Sequence, residues 1–173
     1  MIPVYSVAQI RAVEAQEKSK RGETSLMKQA AAHLASTAVA MLAEGHSTEP
    51  AFVVGLIGPG NNGGDGLYAL AELQQQKIST LALQCHEQIN AEAAAAYQAA
   101  GGTILDLSDG DGELANASLV IDAIYGLGYR AGSDVPSVPA GVRVLACDVP
   151  SGLDPETGVA QDSVLRAERT VTF

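Results

Sequence analysis

Residues 51–76 read "AFVVGLIGPGNNGGDGLYALAELQQQ". An apolar run over 51–57 has the length and β-branched content of a buried strand, and the pattern after residue 66 has the apolar spacing of a helix to about residue 76. The stretch between them, "GPGNNGGDG", carries five glycines, two asparagines, one aspartate and no lysine. Gly58, Gly60 and Gly63 satisfy G-x-G-x-x-G between a strand and a helix, the form of a dinucleotide loop. A nicotinamide redox site would also want an acidic residue at the end of the second strand, and "TLALQCHE" (80–87) places Gln84 there. The Gly-Lys-Ser/Thr of a nucleotide hydrolase is absent. Two readings stay open: bare backbone N–H groups approaching an anion, or a tight turn capped by Asp65 at the helix start.

Outward from this unit the pattern repeats. Strands are expected at 78–84, 103–105, 118–121, 142–147 and 169–173, with helices at about 90–100 and 111–116. Alternation of this kind predicts an α/β domain with a mostly parallel sheet and helices on both faces, its ligands bound beyond the carboxyl ends of the strands. The segment "GLGYRAGSDVPSVPAG" (126–141) must make a parallel crossover, yet Pro136 and Pro139 oppose a helix in it. Two further helices fill the first fifty residues. One opens with a capping-box pattern at Ser6 and Gln9; the other follows Thr24 or Ser25, with a stripe of Leu26, Ala30, Leu34, Ala38 and Met41. Lying before the repeating unit, they offer an apolar face that a second copy of the chain could bury while the cleft stays open.

Composition narrows the classes. The 173 residues, 47% hydrophobic, fit one domain over 1–173, and a net charge of −10 without a basic cluster argues against a nucleic-acid surface. No stretch approaches the length of a membrane span, so a soluble cytoplasmic protein is expected. Cys85 and Cys147 read as reduced core thiols, and His33, His46 and His86 lack metal-ligand spacing. Asp109, Asp111 and Glu113 in "SDGDGE" fail the calcium-loop register and read as a solvated turn.

Two more strand ends carry polar residues. In "VIDAIYGLG" (120–128), Asp122 follows apolar strand residues, where a carboxylate needs compensation. In "LACDVPSGLDPETG" (145–158), Asp148 ends a strand and Ser151 begins the turn beyond it. Either aspartate alone could be a cap or turn former. With Asn61 and Asn62 they would line one cleft, and an oxygen-only set of amide, carboxylate and hydroxyl groups suits a hard cation over zinc or copper.

"NNGGDG", "DAIYGLG", "DVPSGLDPETG" and "TVTF", in that order, resemble the NAD(P)H-hydrate epimerase family, or YjeF amino-terminal domain. The resemblance implies a Rossmann-like three-layer fold, usually homodimeric, that interconverts the R and S epimers of hydrated NADH and NADPH with a bound potassium ion. Carried onto this chain, it implies substrate contacts at Asn61, Asn62, Gly63, Gly64 and Asp65, at Gly126, Leu127, Gly128, Tyr129, Arg130, Ala131 and Gly132, and at Asp148. It puts potassium on Asn62, Asp122 and Ser151; moving protons on the hydrate needs an acid and base, and Asp148, with Asp122 fixed by the ion, is expected to supply the catalytic carboxylates. The abrupt "RTVTF" ending suggests further chain, such as the dehydratase domain, fused or separate, that accompanies such epimerases. A non-catalytic scaffold of the same fold and a nicotinamide oxidoreductase are the competing readings.

Overall fold

The computed structural model describes residues 5–45, 49–129 and 132–173. Six strands, β1 (Phe52–Ile57), β2 (Ser79–Gln84), β3 (Thr103–Asp106), β4 (Leu119–Ala123), β5 (Val144–Cys147) and β6 (Arg169–Val171), form one sheet in the order β3-β2-β1-β4-β5-β6. Every pairing in it is parallel. The chain walks outward from β1 to β3 and then returns to place β4 on the other side of β1. The connections after β1 and β4 therefore run to opposite sides, and this switch point lies beyond the carboxyl ends of the two paired strands. Both faces of the central strands are covered, which is why β4 and β5 are buried throughout and read as unbroken apolar runs apart from Asp122.

One face is covered by α2 (Glu23–Glu44), α3 (Gly60–Gln75) and α4 (Ala91–Ala99), whose Leu34, Met41, Leu67, Leu70 and Tyr97 pack over Val53, Ile57 and Ile121. The other layer is thinner. A short helix α5 (Leu107–Gly110), a 3-10 turn (Asp111–Asn116) and irregular chain carrying Val135, Val138 and Leu165 cover Val54, Leu56 and Val120. The proline-bearing crossover from β4 to β5 forms no helix among its described residues, as the sequence predicts. The return from β5 to β6 is likewise irregular, held by an antiparallel bridge between Leu153 and Ala160.

Helix α1 (Val7–Arg21) opens with the expected capping box: the Gln9 N–H donates to Ser6 Oγ at 3.3 Å and the Ser6 N–H to Gln9 Oε1 at 2.9 Å. It buries only Val7. Helix α2 differs from expectation at its start, where Gly22 is the cap and makes no side-chain bond. The Thr24 hydroxyl instead donates to Glu92 at 2.9 Å, tying α2 to α4. The α2 stripe is not left for a partner. Ala30, Leu34, Ala38 and Met41 are buried within this chain's own core, and Leu26 is half-buried.

Helix α3 starts at Gly60, well before the expected residue 66, so all of "GNNGGD" is helical. Asp65 lies inside the helix, and Pro59, in extended conformation, occupies the cap position. The reason is close packing. A Cβ on Gly63 would lie 2.0 Å from Gly58 O, and one on Gly66 would lie 2.5 Å from the Ala123 Cβ. Glycine is demanded there by the approach of helix to sheet, and the helix accepts its low propensity in exchange.

At the opposite edge of the sheet, Arg143 donates to both Glu168 oxygens at 2.7 Å, to Glu44 and to the Met41 carbonyl, and Arg169 bonds Glu44 at 2.8 Å. Paired guanidinium groups thereby close the carbonyl end of α2 onto β5 and β6. Cys147 is buried and Cys85 half-buried, both as free thiols, and burial pushes the Cys85 thiol up to about 12. Among the described residues no helix is long and apolar enough to cross a membrane.

The contest at Gly66 yields a test. Helix propensity alone favours alanine by about 1 kcal/mol, whereas overpacking a closed helix–sheet contact costs about 1–3 kcal/mol. Gly66→Ala should therefore lower stability, read as a reduced denaturant midpoint; an unchanged or raised midpoint would show that α3 can shift away from β4.

A cleft at the carboxyl ends of β1 and β4

A cleft of about 1320 Å³ opens at the predicted switch point. Its floor is the start of α3 and the chain leaving β4 and β5, represented by Asn61, Asn62, Asp65, Gly126 and Asp148. Its outer wall is α1, with Arg11, Glu14 and Lys18. Glycine again sets the shape. A Cβ on Gly58 would fall 2.0 Å from Ile124 O, so the exits of β1 and β4 touch backbone to backbone. A Cβ on Gly126 would lie 2.7 Å from Asp148 Oδ2 and 3.1 Å from Asn62 Oδ1, so both oxygens face the small space left by that missing side chain.

Asp122 lies beneath this floor, inside β4 and fully buried. Its Oδ2 accepts the Ser151 N–H at 2.7 Å, and its Oδ1 accepts the Ser151 hydroxyl at 2.6 Å and the Ile124 N–H at 3.3 Å. The Tyr125 N–H donates in turn to Ser151 Oγ at 3.1 Å. Burial pushes the Asp122 carboxyl up to about 6, opposed by the bonds from Ser151 and Ile124. All its donors are neutral. Nearby, both polar atoms of the Asn62 amide are shut from solvent and make no hydrogen bond. By its chemistry, a set of an unpartnered amide oxygen, a buried carboxylate held by neutral donors only and a buried hydroxyl would suit a hard monovalent cation.

Asp148 follows β5 with φ of 69°, an uncommon left-handed conformation for a residue other than glycine. Its N–H donates to Val171 O at 2.7 Å, which turns the side chain toward the cleft as the chain passes β6. Burial and the Glu14 carboxylate raise its proton affinity, while a bond from the Leu127 N–H lowers it. Asp65 is pushed up to about 8 by burial and then by Asp148 and Glu14, with Lys18 opposing, and its Oδ1 is buried without a partner. Burial and like charge thus favour the protonated form of both cleft carboxyl groups.

The structure brings most of the expected residues to this place, in different ways. Asn61, Asn62, Asp65, Gly126, Leu127, Gly128 and Asp148 line the cleft, and Asp122 and Ser151 lie under it. Gly63 and Gly64 are turned into packing, the latter with its missing Cβ 2.9 Å from Met27 Sδ. Tyr129 is buried away from the lining, its ring 5.6 Å from that of Tyr125, and exposed Gly132 does not reach the cleft. Arg130, Ala131 and His46 lie outside the described residues. His33 is on the cleft wall and His86 at an exposed turn, and among the described residues no group of His, Cys, Asp and Glu has the arrangement of a metal site. The Gln84 amide, at the position where a ribose-binding acid would stand, donates to the carbonyls of His86 and Glu87 in its own turn.

Sequence reasoning found α1 but missed its part in the cleft. The Arg11 guanidinium donates to Leu127 O at 2.9 Å, Lys18 pairs with Glu23 at 3.0 Å, and Glu23 accepts the Asn61 amide at 2.8 Å. The signal was available in the spacing, because Val7, Arg11, Glu14 and Lys18 recur at helical intervals on one face. A polar stripe on a helix that buries almost nothing points toward a ligand cleft.

Known proteins resemble this chain over nearly its whole length. The NAD(P)H-hydrate epimerase of Microbacterium testaceum is 34% identical over 99% of this chain and 69% of its own length. That of Achromobacter xylosoxidans is 38% identical, covering 100% of this chain and 84% of its own. The bifunctional NAD(P)H-hydrate repair enzyme Nnr of Mycobacterium leprae is 34% identical over 98% of this chain, which spans only 37% of that longer protein. Among solved structures, that of yeast YNL200c superposes with a TM-score of 0.85 at 19% identity, covering 99% of this chain and 80% of that one, a likeness of fold. Residues 23–173 match the family described as YjeF-related protein N-terminus, and with these identities the chain belongs to that family.

Proposed function

We propose that this chain is an isomerase that interconverts the R and S epimers of hydrated NADH and NADPH, a repair reaction on damaged nicotinamide nucleotides. The observation that carries the reading is the Asp65–Asp148 pair, one carboxyl group pushed up to about 8 beside another, at the switch-point cleft of a chain whose relatives are named for this reaction. Epimerisation at C6 of the hydrate is redox-neutral. A carboxyl proton goes to the C6 hydroxyl, which leaves as water while the N1 lone pair forms the C6–N1 double bond. Water then adds to the opposite face and returns a proton to the carboxylate. In this reading Asp148, on the cleft floor, exchanges the proton and Asp65 holds the neighbouring one.

Asn62, Asp122 and Ser151 would hold the potassium ion, which when bound would neutralise Asp122 and offer a positive point for a substrate oxygen. The dinucleotide lies along the start of α3 and the Gly126–Gly128 turn. A dehydratase, fused as a further domain or separate, is the partner that consumes one epimer.

Mixed hydrate epimers supplied with a dehydratase specific for one of them test the activity: this protein should bring the other epimer to complete consumption, and a stalled residue of that epimer would end the epimerase reading. Asp148→Asn should lower kcat by about 10²-fold or more with little change in KM, because the amide keeps the shape and loses the proton. Equal turnover would leave Asp148 as a turn residue only.

Burial also makes a pH prediction. The folded state raises Asp65 to about 8, so its contribution to stability is fully present below the unfolded-state value and is lost as pH rises through the folded one. Asp65→Asn should therefore melt like the wild type at pH 4 and several degrees higher at pH 9, on the order of 1–3 kcal/mol more stable. A mutant less stable at pH 9 would show that the carboxylate is compensated. For the cation, melting in potassium chloride should exceed melting in lithium chloride at equal ionic strength, and Asn62→Ala should abolish the difference. Identical melts of the wild type in both salts would remove the ion from this site.

A further inference from the structure

Helices α1 and α2 are joined by a single residue, Gly22, whose φ of 81° turns the chain between them. Across that joint Lys18, in the last turn of α1, lies 3.0 Å from Glu23 Oε1 at the start of α2. The same oxygen accepts the Asn61 Nδ2 amide at 2.8 Å. Asn61 belongs to the first turn of α3 and lines the cleft, so three helices converge on one carboxylate oxygen. The Glu23 side chain is about half exposed, and an ion pair in such a place adds little to stability. Its effect on Asn61 is of another kind. An asparagine amide has an oxygen that accepts and an NH2 group that donates, and a half-turn exchanges them; an ionised carboxylate only accepts. Glu23 therefore selects the orientation in which the amide gives its NH2 to α2. The Asn61 oxygen, with no hydrogen bond among the described residues, is left as the polar atom for a ligand.

We propose that Glu23 is a positioning residue of the nucleotide site: by holding the Asn61 amide it makes the first turn of α3 a hydrogen-bond acceptor, which takes a hydroxyl or amide N–H of the nucleotide in preference to a phosphate oxygen. The inference deepens the epimerase reading and rests on it for the substrate. A phosphate at neutral pH offers acceptors alone and would meet an acceptor backed by a carboxylate. Lys18, the cation beside them, is engaged by Glu23. A hydroxyl or amide donor meets an oxygen already aimed, and binding then spends nothing on ordering the asparagine.

The test is a double-mutant cycle on the whole chain, with mixed NADH hydrate epimers as the probe, binding read by calorimetry and turnover by the coupled dehydratase. Glu23→Ala should weaken binding and raise KM about 3–10-fold, with a smaller change in kcat, because the amide then spends much of its time turned away. Asn61→Ala should weaken binding at least as much, and adding Glu23→Ala to it should change nothing beyond about twofold. A Glu23 that merely braces the helices would lower affinity equally in both backgrounds, and such additivity overturns the proposal, as does unaltered binding in Glu23→Ala. Should Glu23→Ala lower the melting temperature, Glu23→Gln, which keeps the length of the side chain, replaces it in the cycle, and additive losses overturn the proposal there too. The cycle repeated with the hydrate of reduced nicotinamide mononucleotide locates the donor: coupling retained puts it on the nicotinamide half, coupling lost on the adenosine half, and both keep the proposal. If the two positions are coupled in binding but the wild type does not epimerise, the positioning role stands and the epimerase reading fails; epimerisation with additive losses gives the reverse.

Discussion

A carboxylate with no solvent contact, Asp122, stands in the central strand between Leu56 of β1 and Ala146 of β5. An ionisable group in such a place is stable only when its oxygens are occupied, and three neutral donors occupy them. Two of these donors come from Ser151, so the chain leaving β5 must bend back over β4 within four residues. That bend is where Asp148 takes its left-handed conformation and where its side chain meets the cleft. Removing the Asp122 partners would therefore disturb the floor of the site before it touched the sheet.

The second constraint is distance. Gly58, Gly63 and Gly66 let the exits of β1 and β4 and the first turns of α3 approach closely, and Asn62, Asp65 and Asp148 line the crevice that results. The sequence displays these glycines as a loop, because single-residue propensity treats a glycine run as a breaker. Packing overrules it. The early start of α3 also explains why Asp65, which looks like a cap in the sequence, is a half-buried helical residue of altered acidity.

Much of the architecture was legible. Strand positions, the helix-free crossover with Pro136 and Pro139, and the gathering of Asn62, Asp122, Asp148 and Ser151 at neighbouring strand ends follow from period, punctuation and the topology of parallel sheets. What stayed hidden depends on long-range approach. No local pattern shows that α2 buries its stripe against α3 or that Thr24 bonds Glu92, and the polar face of α1 marks that helix without saying which strand ends it crosses. The helix-to-sheet contacts of Gly63 and Gly66 were invisible for the same reason.

Helix α1 contributes one buried side chain to the core and at least three polar ones to the cleft, and it joins the rest through Gly22, whose conformation leaves open space around it. Stability and chemistry are therefore nearly separate along this segment. Exchanges on its inner face change the surroundings of a ligand at little thermodynamic risk, whereas a single methyl added at Gly58 collides with backbone. Selection on what the cleft accepts has its least encumbered route through the first turns of the chain, while the glycine-lined floor is locked by the geometry it makes possible.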